Sequence, residues 1–106
     1  MPEFLYRIQP TRLAMLTDGP TAAESAAVSA HRAYLDRMAA AGVVLFFGRT
    51  LTTDAATFGI VVFRVESPEA ARRIMADDPA VAAGVRRGQV FPFRVGGVEP
   101  GLASPV

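Results

Sequence analysis

Val43-Val44-Leu45-Phe46-Phe47 and, beyond a polar connection at Thr52-Thr53-Asp54, Phe58-Gly59-Ile60-Val61-Val62-Phe63-Arg64-Val65 are the runs that decide the fold. Both are rich in β-branched and aromatic residues and bounded by turn-forming ones, so each predicts a strand. Gly48-Arg49-Thr50 closes the first, and the short gap predicts that the two pair as an antiparallel hairpin. Neither run alternates apolar with polar residues, the pattern of strands buried on both faces.

Working outward, each side of this hairpin carries a helix and then a strand. Upstream, Thr21-Ala22-Ala23-Glu24 fits a capping box, in which Thr21 bonds the amide three residues on and Glu24 reaches back. Strong helix formers fill Ala22 to Ala41, and Gly42 is a natural stop. A helix of that span is roughly 30 Å long. Before it, Asp18-Gly19-Pro20 marks a turn, while Thr11 to Leu16 fits either pairing or a loop. Phe4-Leu5-Tyr6-Arg7-Ile8 predicts the first strand, and Pro10 either ends it or bends it as an edge.

Downstream, Ser67-Pro68-Glu69 starts a helix, with Ser67 as N-cap and Pro68 in the first turn. It extends to about Ala76, where Asp77-Asp78-Pro79 interrupts it, because a residue before proline is pushed out of the helical region. Pro79 to Gly84 predicts a further short turn of helix. Val90 to Val95 is the last strand, and Pro92 makes it an edge or a bulged strand. Arg72-Arg73 and Arg86-Arg87 fit solvated faces. Residues 1–95 thus form one domain, and Gly96 to Val106, rich in Gly and Pro, is a mobile tail or an arm.

The order strand, helix, strand, strand, helix, strand is the ferredoxin-like βαββαβ pattern of an α+β domain with an antiparallel sheet. Two helices cover one face of such a sheet. Apolar residues at successive positions leave the other face apolar too, and an open apolar face of this size marks an interface. The expected partner is a second copy, packed sheet to sheet as a homodimer.

Composition narrows the function. The chain has 106 residues, 51% hydrophobic and 20% charged, which is a globular rather than a disordered composition. Lys plus Arg is 11 against 10 for Asp plus Glu, without the basic excess of a nucleic-acid binder. With no Cys, thiolate catalysis, disulfides and Cys-ligated metals are excluded. There is no His pair or dense acidic loop for a metal site and no glycine-rich phosphate motif. No signal peptide or bilayer-spanning run is expected, so the location predicted is cytoplasmic.

His31 is the single histidine, and it lies in the apolar stripe of the long helix with Ala27, Val28, Leu35 and Met38. One reading is a core imidazole bonded to a backbone carbonyl; the other is a general base in a pocket between helix and sheet. A base of this kind needs an orienting carboxylate. Asp18 and Asp36 are close in sequence, but Asp36 lies on the opposite helix face. Asp77 and Asp78 at the helix break remain alternatives, and Asp78 also suits N-capping of the turn that follows. Arg49, just after the second strand, is placed to meet an anionic substrate or to end a solvated loop. Phe47 fits a pocket wall, but so do core and interface roles.

The run Asp78-Pro79-Ala80-Val81-Ala82-Ala83-Gly84-Val85, followed by Phe91-Pro92-Phe93, resembles the C-terminal signature of the YciI-like (YCII-related) family. Ser29-Ala30-His31-Arg32-Ala33-Tyr34-Leu35 is similar to its helix histidine segment, and Ser67-Pro68-Glu69-Ala70-Ala71 to its second helix start. The resemblance spans residues 3 to about 95. It implies a dimeric α+β barrel of ferredoxin-like subunits and an active site on His31 and Asp78, which singles out Asp78 over Asp77. It also implies chemistry without metal or organic cofactor, as in a member that dehydrochlorinates a chlorinated hydroxyhydroquinone. Many relatives have Gly-Pro after the second strand where this chain has Gly48-Arg49, so the resemblance carries no substrate. The expectation is acid–base elimination or isomerisation of a small cyclic or aromatic molecule. Two other readings stand beside it: a non-catalytic small-molecule binding module, and, on fold analogy alone, an oxygenase.

Overall fold

The computed structural model describes residues 1–103. Residues 104–106, the end of the expected tail, lie outside the described residues. The elements are β1 (Glu3–Pro10), α1 (Ala14–Thr17), α2 (Ala22–Ala40), β2 (Val44–Arg49), β3 (Gly59–Arg64), α3 (Pro68–Asp77), α4 (Pro79–Ala82), β4 (Arg86–Phe93) and α5 (Pro100–Ala103). The four strands form one antiparallel sheet in the order β2-β3-β1-β4, the ferredoxin-like arrangement.

Local signals fix most of these boundaries. The Thr21 side chain accepts from the Glu24 amide, and the Glu24 carboxylate accepts from the Thr21 amide, so the capping box is complete. Gly42, at φ +77°, turns the chain out of α2 through a left-handed conformation open to glycine. Ser67 Oγ accepts from the Ala70 amide at the start of α3. Asp78 stops α3 and caps α4 together, its side chain accepting from the Ala80 amide. The undecided stretch after β1 folds into the single turn α1. Pro10 closes β1 where it pairs with Arg86 of β4 and no longer with β3, so the missing donor leaves no gap in the β3 ladder.

Two expectations change. The last strand begins at Arg86, four residues before Val90, because Glu3 to Pro10 of β1 offers a ladder along its whole length. Arg86 and Arg87 are therefore strand residues of opposite faces, not one solvated pair. The β2 run, read as buried on both faces, is an edge strand that this chain covers on one face only.

The covered face carries the core. Phe4, Tyr6 and Ile8 of β1 and Val61 and Phe63 of β3 pack under Leu35 of α2 and Ala70 and Ala71 of α3. The opposite face presents Phe46, Phe91 and Phe93, each between 36% and 40% exposed. Which β2 residues face which way is set by a bulge between Val44 and Phe46, where the register with β3 shifts. Val44 opposes Phe63 and Phe47 opposes Val61, both on the helix side, whereas Phe46 opposes Val62 on the open side. The extra residue, Leu45, thus returns Phe47 and Arg49 to the face that holds the core.

At the start of α2, Glu24 also accepts from Arg12 Nε at 2.9 Å. The Arg12 hydrogen bonds first, and the Thr21 amide second, hold the Glu24 carboxyl down to about 2, against an opposing effect of burial. An unfolded chain takes up this proton near its ordinary 4.5, so on acidification the unfolded state gains the proton first. The stabilisation from Glu24 is therefore present above pH 4.5 and is lost as the pH falls towards 2. Urea unfolding at successive pH values should show that slope in wild type and a flatter one in Glu24→Gln.

Candidate functional site

Three elements converge on the Asp78 carboxylate, which is fully buried. Tyr6 of β1 donates its hydroxyl to Oδ2 at 2.7 Å. The Ala80 amide, at the start of α4, donates to Oδ1 at 3.0 Å. His31 Nδ1 of α2 lies 2.7 Å from Oδ2 and 2.9 Å from Oδ1. The backbone break before Pro79 is what places this side chain there: it lies at the joint of α3 and α4, directed back under α2.

All three groups around Asp78 serve as donors, so the ionised carboxylate uses every contact, and a protonated one would forfeit a bond. Burial pushes the Asp78 carboxyl up. The hydrogen bonds from His31 and Tyr6, the charge of His31 and the Ala80 amide together outweigh it and hold the carboxyl below the usual range. For Tyr6, burial and then the neighbouring carboxylate push the phenol far above its ordinary value, so it remains a donor. Among the described residues no buried side-chain polar atom lacks a partner.

With Nδ1–H committed to Asp78, the lone pair of the neutral ring is on Nε2. His31 lines a cavity of about 570 Å3 between the helices and the end of the sheet where β1 and β2 finish and β3 and β4 begin. Ile8, Met15, Leu16, Val28 and Phe58 contribute apolar wall, and Phe47, Arg49 and Arg86 also line it. Arg32 lies over the Phe47 ring, 5.3 Å from its centroid. The cavity thus pairs one imidazole with an apolar interior and several guanidinium groups, an arrangement able to move a proton and to meet negative charge.

A family model for the YCII-related domain matches residues 8–94. The chain belongs to the YCII-related domain family. No curated protein matches it. Among solved structures it is similar to 5-chloro-2-hydroxyhydroquinone dehydrochlorinase from Burkholderia phenoliruptrix AC1100, in complex with 2,5-dihydroxybenzoquinone. The two share 20% identity over 88% of this chain and 95% of that one, with a TM-score of 0.63. At that identity the likeness is one of fold.

The structure brings some of the sequence-predicted residues together and separates others. His31 and Asp78 are in contact, while Asp36 is exposed and ion-paired with Arg32 at 3.1 Å. Phe47 and Arg49 both border the cavity. Two further residues border the Asp78–His31 pair or its cavity without a signal in the sequence that marks them. Tyr6 is one, although a tyrosine at an inward strand position always raises the question of what its hydroxyl bonds. Arg86 is the other, hidden because its place in β4 depends on pairing with Pro10 of β1, which the apolar run from Val90 does not reveal. Among the described residues no group of three or more His, Cys, Asp or Glu could hold a metal ion, and no helix is long and apolar enough to cross a membrane.

The carboxylate should fix the imidazole tautomer. Long-range proton–nitrogen correlation of His31 at alkaline pH is expected to show Nδ1 protonated and Nε2 bare in wild type. Asp78→Asn should shift the population towards Nε2–H, and a spectrum unchanged by that substitution would show that Asp78 does not set the tautomer.

Proposed function

We propose that this chain is a small-molecule enzyme that moves a proton on a cyclic or aromatic substrate, in an elimination or an isomerisation. His31 is the base and then the acid, and Asp78 orients it. The observation that carries this reading is the relay from Tyr6 through Asp78 to Nδ1 of His31, an imidazole that lines the cavity and keeps Nε2 free of that relay. A core histidine needs one acceptor; here a wholly buried carboxylate, itself held by two more donors, is devoted to it. Keeping such a carboxylate ionised in the interior is costly unless every bond is made.

In an elimination, Nε2 takes the proton from carbon, and the electron pair of that bond forms the new double bond. The leaving group departs with the pair of its own bond, and the imidazolium, stabilised by Asp78, then releases its proton to water. In an isomerisation the same proton returns to a different carbon. Neither course oxidises or reduces anything, so the named side chains supply the whole step. The dehydrochlorinase of like fold supports this class of reaction without fixing the substrate.

A screen of halogenated hydroxyhydroquinones and related cyclic enols should find turnover that His31→Ala reduces by about 100-fold or more. Asp78→Asn should lower kcat more than it raises KM. Turnover unaffected by His31→Ala would remove the imidazole from the chemistry. Ligand uptake without turnover, surviving both His31→Gln and Asp78→Asn, would favour a binding module in the same cavity.

We also propose that the open sheet face is covered by a second copy of the chain. Phe46, Phe91 and Phe93 on one side of the sheet form the kind of exposed apolar patch that a lone soluble domain seldom keeps. Light scattering after size exclusion should give a dimer for wild type and a monomer for Phe91→Asp; a wild-type monomer at micromolar concentration would overturn the assignment.

A further inference from the structure

Two arginines border the His31 cavity whose side chains have no bonding partner among the described residues. Arg49 ends β2 and Arg86 opens β4. They share one end of the sheet: Arg49 opposes Gly59, Gly59 opposes Ile8, and Ile8 opposes Gly88, two residues along β4 from Arg86 and on its face. Both lie on the helix side and both line the cavity with His31. Other arginines nearby are spoken for. Arg12 holds Glu24, Arg32 holds Asp36, and Arg87 reaches the Pro10 carbonyl.

The side chains of Arg49 and Arg86 make no hydrogen bond or ion pair among the described residues. Arg86 is nevertheless half-buried. Burial, and to a lesser extent the charge of Arg49, push its guanidinium below its ordinary value, with Asp78 opposing. Asp78 is no counter-ion for it, since the carboxylate is already bonded to His31, Tyr6 and Ala80. Leaving a guanidinium half out of water, in a cavity that a second one also lines, costs free energy that this chain does not recover by itself. An anion in the cavity recovers it, and a guanidinium fork matches the paired oxygens of a planar anion.

We infer that Arg49 and Arg86 form an anion clamp, and that the substrate of this cavity is a small planar organic anion whose charged oxygens lie at the sheet end while its ring contacts the apolar wall. The inference rests on reading the cavity as a substrate site. It adds a specificity rule: an enolate, phenolate or carboxylate enters, and the neutral ether or ester of the same shape does not.

The test is calorimetric binding of 2,5-dihydroxybenzoquinone, acidic enough to be anionic at neutral pH, against its neutral dimethyl ether. Wild type should bind the anion at least 10-fold tighter than the ether, and more weakly as salt rises. Arg86→Gln and Arg49→Gln should each weaken anion binding by roughly 10- to 100-fold and leave ether binding unchanged. Arg86→Lys, which keeps the charge without the fork, should recover part of the loss. Thermal unfolding of each variant shows whether it is folded, and the exposed Arg49 tests the clamp should Arg86→Gln fold poorly. Wild type that binds the anion no better than the ether, or binds neither, overturns the clamp, as do arginine variants with wild-type affinity. Binding is read without turnover, so the two readings separate. An intact clamp with turnover indifferent to His31→Gln removes only the role of His31, whereas a failed clamp with turnover lost in His31→Gln removes only the anion rule.

Discussion

A carboxylate taken out of water loses several kcal/mol of hydration, which only well-placed donors can replace. Asp78 has no exposed surface, and its donors come from β1, α2 and α4, elements far apart in the chain. Satisfying that one group therefore fixes how the long helix lies on the sheet and how the α3–α4 joint meets both. The core around it, from Leu35 to Phe63, supplies the hydrophobic stabilisation, but apolar contacts tolerate sliding, whereas hydrogen bonds of 2.7 to 3.0 Å do not. The same constraint that positions the elements also orients the imidazole.

Much of this was legible in the residues. Caps and stops are local chemistry, so Thr21 with Glu24, Ser67 with Pro68, and Asp78 with Pro79 placed the helices to within a residue or two. The doubled strand runs between them gave the βαββαβ order. His31 stood out because polar residues on an apolar helix stripe need an explanation. What stayed hidden depends on partners distant in sequence. Tyr6 is an ordinary strand tyrosine until its hydroxyl is seen against Asp78. Arg86 counts as a solvated charge until β1 is known to run far enough to pair with it. The choice between Asp77 and Asp78 turned on the family resemblance, because adjacent residues at a helix break point in directions that spacing alone does not give.

The cavity divides into two kinds of part. His31 and Asp78 hang from α2 and from the α3–α4 joint, and each is tied by bonds that a substitution would leave unsatisfied. The walls come from strand ends, from the single turn α1 and from side chains such as Leu16 and Phe58, which make few polar commitments. Tyr34 shows the first kind of commitment at the margin: its hydroxyl donates to the Ile74 carbonyl at 2.8 Å, tying α2 to α3. Burial, then the charges of Asp77 and Asp78, push its phenol up to about 12, so that tie outlasts any physiological change of pH.

The bulge in β2 makes this division depend on one irregularity. With Leu45 left out of the ladder, Phe47 and Arg49, rather than Phe46 and Gly48, look towards the helices. The same sequence paired without a break from Val44 onward would send an aromatic ring and a guanidinium from the lining of the cavity to the outside of the sheet, and bring a ring and a gap inward in their place. Removing Leu45 itself would instead straighten the strand and leave Phe47 opposite Val61 and Arg49 opposite Gly59. The make-up of the cavity wall is thus stored in how one edge strand is counted against its neighbour, separately from the bonds that hold His31.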